Sequence, residues 1–314
     1  MKNKEQQKKT LLIGPSGFIG PAILEKYNFI TCAGRSAPPK YIKNKFIHIK
    51  NLRNLKKLDK YDFEYVIFVV GNSNHHDLLN FFWQDDVAKS GLEISLSYNF
   101  IPLMHALNYF STRKIKKFIC FSGSLIYDKK NLTLPCKENN KIDPYQNNYL
   151  FSKFLAEQLS IFFTNKIPII NIRLSNVYGH SLYERPDIVL SIFNRIIKNK
   201  KVFVWNKKPE RDFIHVYDLA DAVIKLCRSK FSGTINVGSG KKISINYLTR
   251  TIEKITGHKI FNKNLKVEGP HKYYHNISKL KKIINWKPRI DLEEGLKLTW
   301  QRMKYLNSKY YEKN

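Results

Sequence analysis

The sequence predicts an α/β protein: a doubly wound parallel sheet with a smaller, mixed C-terminal lobe. Three observations lead there. A short apolar run, Thr10–Ile13, opens onto Gly14-Pro15-Ser16-Gly17-Phe18-Ile19-Gly20 and then a stretch of helical periodicity through Tyr27. Strand-like runs follow at 29–33, 45–49, 65–70, 117–121 and 168–174, most of them separated by helical stretches, the alternation of a parallel sheet covered on both faces. Beyond residue 175 the pattern turns irregular, with short segments and Pro or Gly punctuation, as in a lobe that caps a cleft at the carboxyl ends of the strands. Residues 10–175, joined by a segment near 206–237, are expected to form the sheet domain; 176–205 and 238–305 are expected to form the lobe.

With 314 residues, 43% of them hydrophobic, the chain can bury a substantial core. Apolar runs such as Tyr65–Val70 and Ile167–Ile172 are too short to span a bilayer, and Met1–Thr10 is hydrophilic. A cytoplasmic protein without a membrane span is therefore expected. Cys32, Cys120, Cys136 and Cys227 lie far apart with no C-x-x-C pair, which argues against a metal site or a disulfide framework and for reduced thiols. The net charge of +30 is spread along the chain without a long basic tract or a nucleic-acid motif. It reads as solvated faces and a general attraction for anionic ligands, not as nucleic-acid binding.

Gly14, Gly17 and Gly20 after a strand permit a tight turn, a helix start with free N–H groups, and close helix–strand approach, which together cradle a pyrophosphate. Ser16, Phe18 and Ile19 lie in the same turn and join the glycines as cofactor-binding candidates. Pro21 falls near the first helical turn, where a missing N–H is tolerated. An acidic residue normally ends the second strand and accepts from the ribose 2′-hydroxyl; here the strand ends in Gly34-Arg35-Ser36. Arginine pairs instead with a 2′-phosphate, so Arg35 and Ser36 favour NADP, with NAD possible; the alternative is a solvent-facing arginine.

Tyr149 and Lys153 are four residues apart on a predicted helix running to Gln158, so both side chains leave one face. A nearby ammonium favours the phenolate and draws the tyrosine toward the range of a general acid/base. Upstream, Ser122 and Ser124 stand at the end of a predicted strand, where a hydroxyl would meet a substrate oxygen beside the tyrosine.

With the glycine turn, Ser124, Tyr149 and Lys153, further ordered segments make the chain resemble the extended short-chain dehydrogenase/reductases, the NAD-dependent epimerase/dehydratase family of nucleotide-sugar enzymes. They are Asn99 in Tyr-Asn-Phe-Ile-Pro, Arg173 to Gly179, Arg211 to Asp218, Ile235 to Gly240, and Trp286 to Gly295; the match runs from Leu11 to Trp300. The resemblance implies a Rossmann domain in which Tyr149 exchanges a proton with a sugar hydroxyl or ketone while hydride passes to or from the nicotinamide. Lys153 would bind the nicotinamide ribose and tune Tyr149. Asn51 and Leu52, after the third strand, would flank the adenine, and Gly71 and Asn99 complete the cofactor-binding set. Asn176 and Arg211 would hold the substrate diphosphate, with Ser124 on the reacting sugar. The family often pairs as a homodimer through the helices near Asn99 and Tyr149.

Several positions depart from the family. Its catalytic hydroxyl usually lies four residues before the strand-end tyrosine, here Tyr127, which places Gly123 there; Ser124 is three before and Ser122 five before. Ser124 is preferred, with Ser122 the alternative. Leu125 stands where family dehydratases carry an acid and 3,5-epimerase-reductases a cysteine, which disfavours both reactions. Gly71-Asn-Ser-Asn-His-His76 replaces the usual alanine-rich segment; His75 and His76 read as bland loop histidines with a sugar-ligand role as the alternative, and His180 and His215 read likewise. The surviving chemistry is redox at the sugar 4-position. Arg35 tilts it toward NADP-dependent reduction of a nucleotide-activated 4-keto-6-deoxy sugar, with 4-epimerisation on a tightly held NAD(P) as the alternative. A non-catalytic dinucleotide- or nucleic-acid-binding relative is a remote third reading, against which the intact Tyr149 and Lys153 count.

Overall fold

The computed structural model describes residues 2–72, 91–181, 188–266 and 270–310. Its strands are β1 (Thr10–Ile13), β2 (Thr31–Gly34), β3 (Phe46–His48), β4 (Tyr65–Phe68), β5 (Lys117–Gly123), β6 (Ile169–Leu174), β7 (Asn176–Tyr178), β8 (Val202–Val204), β9 (Glu210–Arg211), β10 (Phe213–His215), β11 (Gly233–Val237), β12 (Ile243–Ser244) and β13 (Ile260–Asn262). Its helices are α1 (Lys2–Lys8), α2 (Ile19–Lys26), α3 (Gly91–Asn99), α4 (Ile101–Phe110), α5 (Asn148–Phe162), α6 (Ile188–Ile197), α7 (Val216–Arg228), α8 (Ile245–Thr256), α9 (Ser278–Ile284) and α10 (Leu292–Tyr310). The hydrophilic opening segment is itself helical, and Thr10 Oγ1 donates to Gln6 O at its end.

The expected sheet is present. β3, β2, β1, β4, β5 and β6 pair in parallel in that order, and β11 adds beside β6. Strands buried on both faces explain the continuous apolar runs of the sequence: all four residues of β1 and of β2 are buried. Alternate residues Leu11, Ile13, Val66 and Phe68 share a core with Leu103, Leu107 and Phe110 of α4. From β1 the chain winds outward through β2 and β3, then returns to β4 on the other side. The glycine turn after β1 therefore sits at the switch point, where ligands of such sheets bind.

The chain divides into two compact units, residues 1–128, 141–174 and 220–235 in the first, and 129–140, 175–219 and 236–314 in the second. The segment that returns to the sheet is thus narrower than 206–237. β9 and β10 ladder instead with β12 and β7 of the second unit. Residues 129–140 also join the second unit: Cys136 N donates to Tyr274 O, and Cys136 O accepts from Asn276 N and Asn236 Nδ2. The stretch that looked irregular in sequence holds three long amphipathic helices, α7, α8 and α10, among short two-stranded ladders.

Candidate functional site

In the glycine turn each glycine meets a different demand. Gly14 adopts φ +100°, and a Cβ there would lie 3.1 Å from the backbone N of Val70. A Cβ on Gly20 would fall 2.6 Å from Gly14 O, so α2 starts hard against the end of β1. Among the described residues a Cβ on Gly17 meets nothing within 4 Å, which leaves the space beside this residue open to a ligand. Ser16 and Ile19 are half-buried and Phe18 is buried at the start of α2, where N–H groups lack intrahelical partners. Such a cradle fits a dinucleotide pyrophosphate.

Arg35 and Ser36 follow β2 directly and are exposed; among the described residues Arg35 makes no hydrogen bond or ion pair. Asn51, exposed after β3, accepts from Arg53 N at 2.9 Å, and Leu52 is half-buried against the core.

At the carboxyl end of β5 the remaining first-unit candidates meet. Asn147 caps α5 by accepting from Leu150 N at 2.9 Å, which sets Tyr149 in the first turn, where the helix dipole favours a phenolate. The phenol oxygen lies 3.8 Å from where a Gly123 Cβ would stand. One turn on, the buried Lys153 donates from Nζ to Phe121 O at 3.2 Å, so phenol and ammonium both reach over the end of β5. Asn99, buried at the end of α3, accepts from Asn72 N at 3.0 Å and donates to Ser152 Oγ at 3.1 Å. A Cβ on Gly71 would sit 2.9 Å from Asn99 Oδ1 and 3.2 Å from Lys153 Nζ, which brings Gly71, Asn99 and Lys153 into one cluster. Ser124 opens a 3-10 turn after the strand. Ser122 is inside β5, with its hydroxyl buried and without a hydrogen-bond partner among the described residues.

Two residues beneath this cluster were not singled out from sequence as site residues. Glu157 lies one turn beyond Lys153 on α5 and is buried. It accepts from Arg173 Nη2 at 2.6 Å and Nε at 3.2 Å, and the guanidinium lies 5.0 Å from the Tyr127 ring centroid. Burial works against the arginine's charge, but the hydrogen bonds and charge of Glu157 outweigh it and raise its pKa. The four-residue spacing of Tyr149, Lys153 and Glu157 was the available signal.

Within the second unit, Asn176 is exposed on β7, and both its backbone N and its Nδ2 donate to Asp212 O, at 3.0 and 3.1 Å. Arg211 is next to that acceptor in sequence. Its Nη1 donates to Pro270 O at 2.7 Å and to Glu210 O at 2.9 Å, and burial lowers its pKa. Part of this guanidinium is thus committed to its own unit. The buried Asp212 accepts from Ser239 N and Oγ, Gly240 N and His275 N, which ties the backbone after β11 and at residue 275 to β10. His180 and His215 are buried and each packs edge-on against Tyr217. His75 and His76 lie outside the described residues.

Among the described residues no helix is long and apolar enough to cross a membrane, and no group of three or more metal-ligating side chains occurs.

The NAD dependent epimerase/dehydratase family model matches residues 10–238. A putative UDP-glucose 4-epimerase of Methanocaldococcus jannaschii is 28% identical, with 95% of this chain and 99% of that protein covered. A UDP-glucuronate 4-epimerase of Thermodesulfobacterium geofontis is 31% identical over 68% of this chain and 69% of its own length. A probable GDP-L-fucose synthase of Oryza sativa subsp. japonica is 28% identical over 60% of this chain and 62% of its own. Among solved structures, UDP-glucose 4-epimerase of Thermotoga maritima superposes with a TM-score of 0.81 at 21% identity, covering 94% of this chain and 98% of that one, a likeness of fold. With the family model matched from β1 through β11, over a parallel sheet that carries the glycine turn at its switch point, the chain belongs to the NAD-dependent epimerase/dehydratase family.

Proposed function

We propose that the protein transfers hydride reversibly at C4 of a nucleotide-linked hexose, with 4-epimerisation as the net reaction. The observation that carries this reading is the approach of the Tyr149 phenol and the Lys153 ammonium to the same end of β5, at Gly123 and Phe121 O. The names of the relatives matched over nearly their whole length favour epimerisation, since the M. jannaschii protein is a putative 4-epimerase of a UDP-sugar.

Bound in the glycine turn, the dinucleotide supplies a hydride acceptor and donor. With that group bound, Tyr149 would take the proton of the C4 hydroxyl on oxidation and return it to the ketone oxygen on reduction. Lys153, whose Nζ donates to Phe121 O, stands at the same end of β5, where an ammonium would lower the cost of that proton transfer. Ser124 donates to the same substrate oxygen. Asn176 and Arg211 hold the diphosphate, the guanidinium through the donors it does not spend on Pro270 and Glu210. Leu125 offers no acid or base, so the reaction stops at C4 redox without dehydration or 3,5-epimerisation.

A second reading rests on Arg35, which is exposed after β2 without an ion-pair partner among the described residues and so suits a 2′-phosphate. On that reading NADPH is consumed in reducing a nucleotide-linked 4-keto-6-deoxy sugar. One experiment separates the two: UDP-hexoses, UDP-uronates and a nucleotide-linked 4-keto-6-deoxyhexose are supplied to the protein while sugar configuration and absorbance at the NAD(P)H band are followed. Interconversion of C4 epimers without net absorbance change supports epimerisation. Loss of one NADPH per ketone reduced establishes the reductase instead. Tyr149→Phe should cut either turnover by about 10²–10⁴-fold with dinucleotide binding retained, and undiminished turnover overturns the role of Tyr149.

A further inference from the structure

We propose that the outer face of the β8–β13 ladder, in the second unit, docks onto an anionic lipid membrane surface. The two strands pair in parallel, with Phe203 opposite Phe261, and the ladder runs on as Lys263 N donates to Val204 O and Leu265 N to Trp205 O. Side chains alternate across a strand pair. Val202, Val204 and Ile260 face inward and are buried, with α6 packed on β8. The outward positions read Phe203 on β8, flanked by Lys201 and Trp205, and Phe261 on β13, flanked by Lys259 and Lys263; Leu265 follows beyond the turn at Asn264, whose φ is 54°. Phe203 at 43% and Phe261 at 39% exposure are neighbours on the ladder, and Trp205 at 50% and Leu265 at 47%, joined by a backbone hydrogen bond just past its end, extend the exposed apolar set. Lone exposed apolar residues need no explanation; a contiguous set does.

The charge around them selects the occupant. Segments 198–208 and 257–266 contain Lys198, Lys200, Lys201, Lys207, Lys208, Lys259, Lys263 and Lys266, and no Asp or Glu. Lys207 is committed to Ile260 O and Glu253; most of the others are exposed around the aromatic patch. Aromatic and leucine side chains framed by lysines match the interface between anionic headgroups and acyl chains. A second copy of the same face would bring lysine against lysine and is disfavoured. A nucleobase needs an open ring face to stack on. Phe203 and Phe261 instead lie against each other at 5.5 Å, with Lys263 and Lys259 ammoniums each 5.6 Å from a ring centroid.

Co-sedimentation of the 314-residue chain with vesicles tests this. Binding is expected to phosphatidylcholine vesicles containing roughly one-third phosphatidylglycerol, to fall with added salt, and to be absent on pure phosphatidylcholine. Phe203→Ser with Trp205→Ser should weaken partitioning by about tenfold, with the melting temperature checked because β8 belongs to a ladder. Lys259→Glu with Lys263→Glu, which leaves the apolar face intact, should weaken it as well, whereas Lys279→Glu with Lys281→Glu on α9 should not. The proposal is overturned by absence of binding at low salt, or by an equal loss from the α9 pair, which would make bulk charge the cause. It is equally overturned if the aromatic variants lose binding to a single-stranded RNA oligonucleotide, or lose a dimer, with vesicle binding unchanged.

Discussion

Two alanine substitutions in the glycine turn separate a ligand cradle from a packing contact. At Gly17 an added methyl meets nothing within 4 Å among the described residues and φ is not positive, so the fold should tolerate it. The unfolded chain loses freedom, and Gly17→Ala should be neutral or more stable by about 0.4–1 kcal/mol. If the open space holds the pyrophosphate, that same methyl fills it. At a dinucleotide concentration 100 times Kd, ligand binding stabilises the wild-type protein by about 2.7 kcal/mol; a 100-fold weaker Kd leaves about 0.4 kcal/mol. Thermal melts with and without NADH or NADPH should therefore show the ligand-induced shift of several degrees nearly abolished in Gly17→Ala, with the ligand-free Tm maintained. Gly20→Ala should do the reverse in the ligand-free melt. Its Cβ would stand 2.6 Å from Gly14 O and 3.1 Å from Pro15 Cα, both backbone atoms that yield only if the strand–helix turn opens. Overpacking of this kind costs about 1–3 kcal/mol, seen as a Tm lowered by a few degrees. A full ligand shift in Gly17→Ala would refute the cradle, and an unchanged Tm in Gly20→Ala would refute the close-approach argument.

Ser124→Ala should slow turnover while Ser122→Ala leaves it intact and does not lower Tm, because it removes a buried hydroxyl that has no partner among the described residues; the opposite ranking in steady-state kinetics transfers the role to Ser122. Arg211→Ala should raise the substrate KM with dinucleotide affinity unchanged, and should also lower Tm through the lost bonds to Pro270 O and Glu210 O. Dinucleotide affinity falling in parallel would mark Arg211 as purely structural. All four thiols are buried, and burial pushes each up to about 12. A thiol-specific chromogenic reagent at pH 8 should thus label none in the native protein and four after denaturation. Unfolded thiols titrate near 8.5, so as pH rises above about 8.5 the unfolded state binds fewer protons than the native state and stability must fall. Rapid labelling of native protein, or a Tm that does not fall between about pH 8.5 and 10, would contradict this burial.

What the sequence determined by itself is local. Runs of β-branched and aromatic residues placed β1 to β6 to within a few residues, because strand burial on both faces is written in contiguous positions. The Gly14, Gly17, Gly20 spacing and the four-residue step from Tyr149 to Lys153 were equally legible, since one turn and one helix face are set by neighbouring dihedrals. Tertiary structure decided which distant segments meet. Gly123 and Tyr149 come together only because α5 lies over the end of β5, and Asn99 joins the cluster only by bridging Asn72 and Ser152. The pairing of Glu157 with Arg173 needs α5 against β6, and residues 129–140 left the first unit because Cys136 finds its partners at Asn236, Tyr274 and Asn276. Even the alternating lysines and aromatics of β8 and β13 were silent as sequence, being separate short runs until parallel pairing set Phe203 beside Phe261. Such contacts are selected by the burial and hydrogen bonding of the whole chain against its loop-closure entropy, and no window of sequence contains that sum.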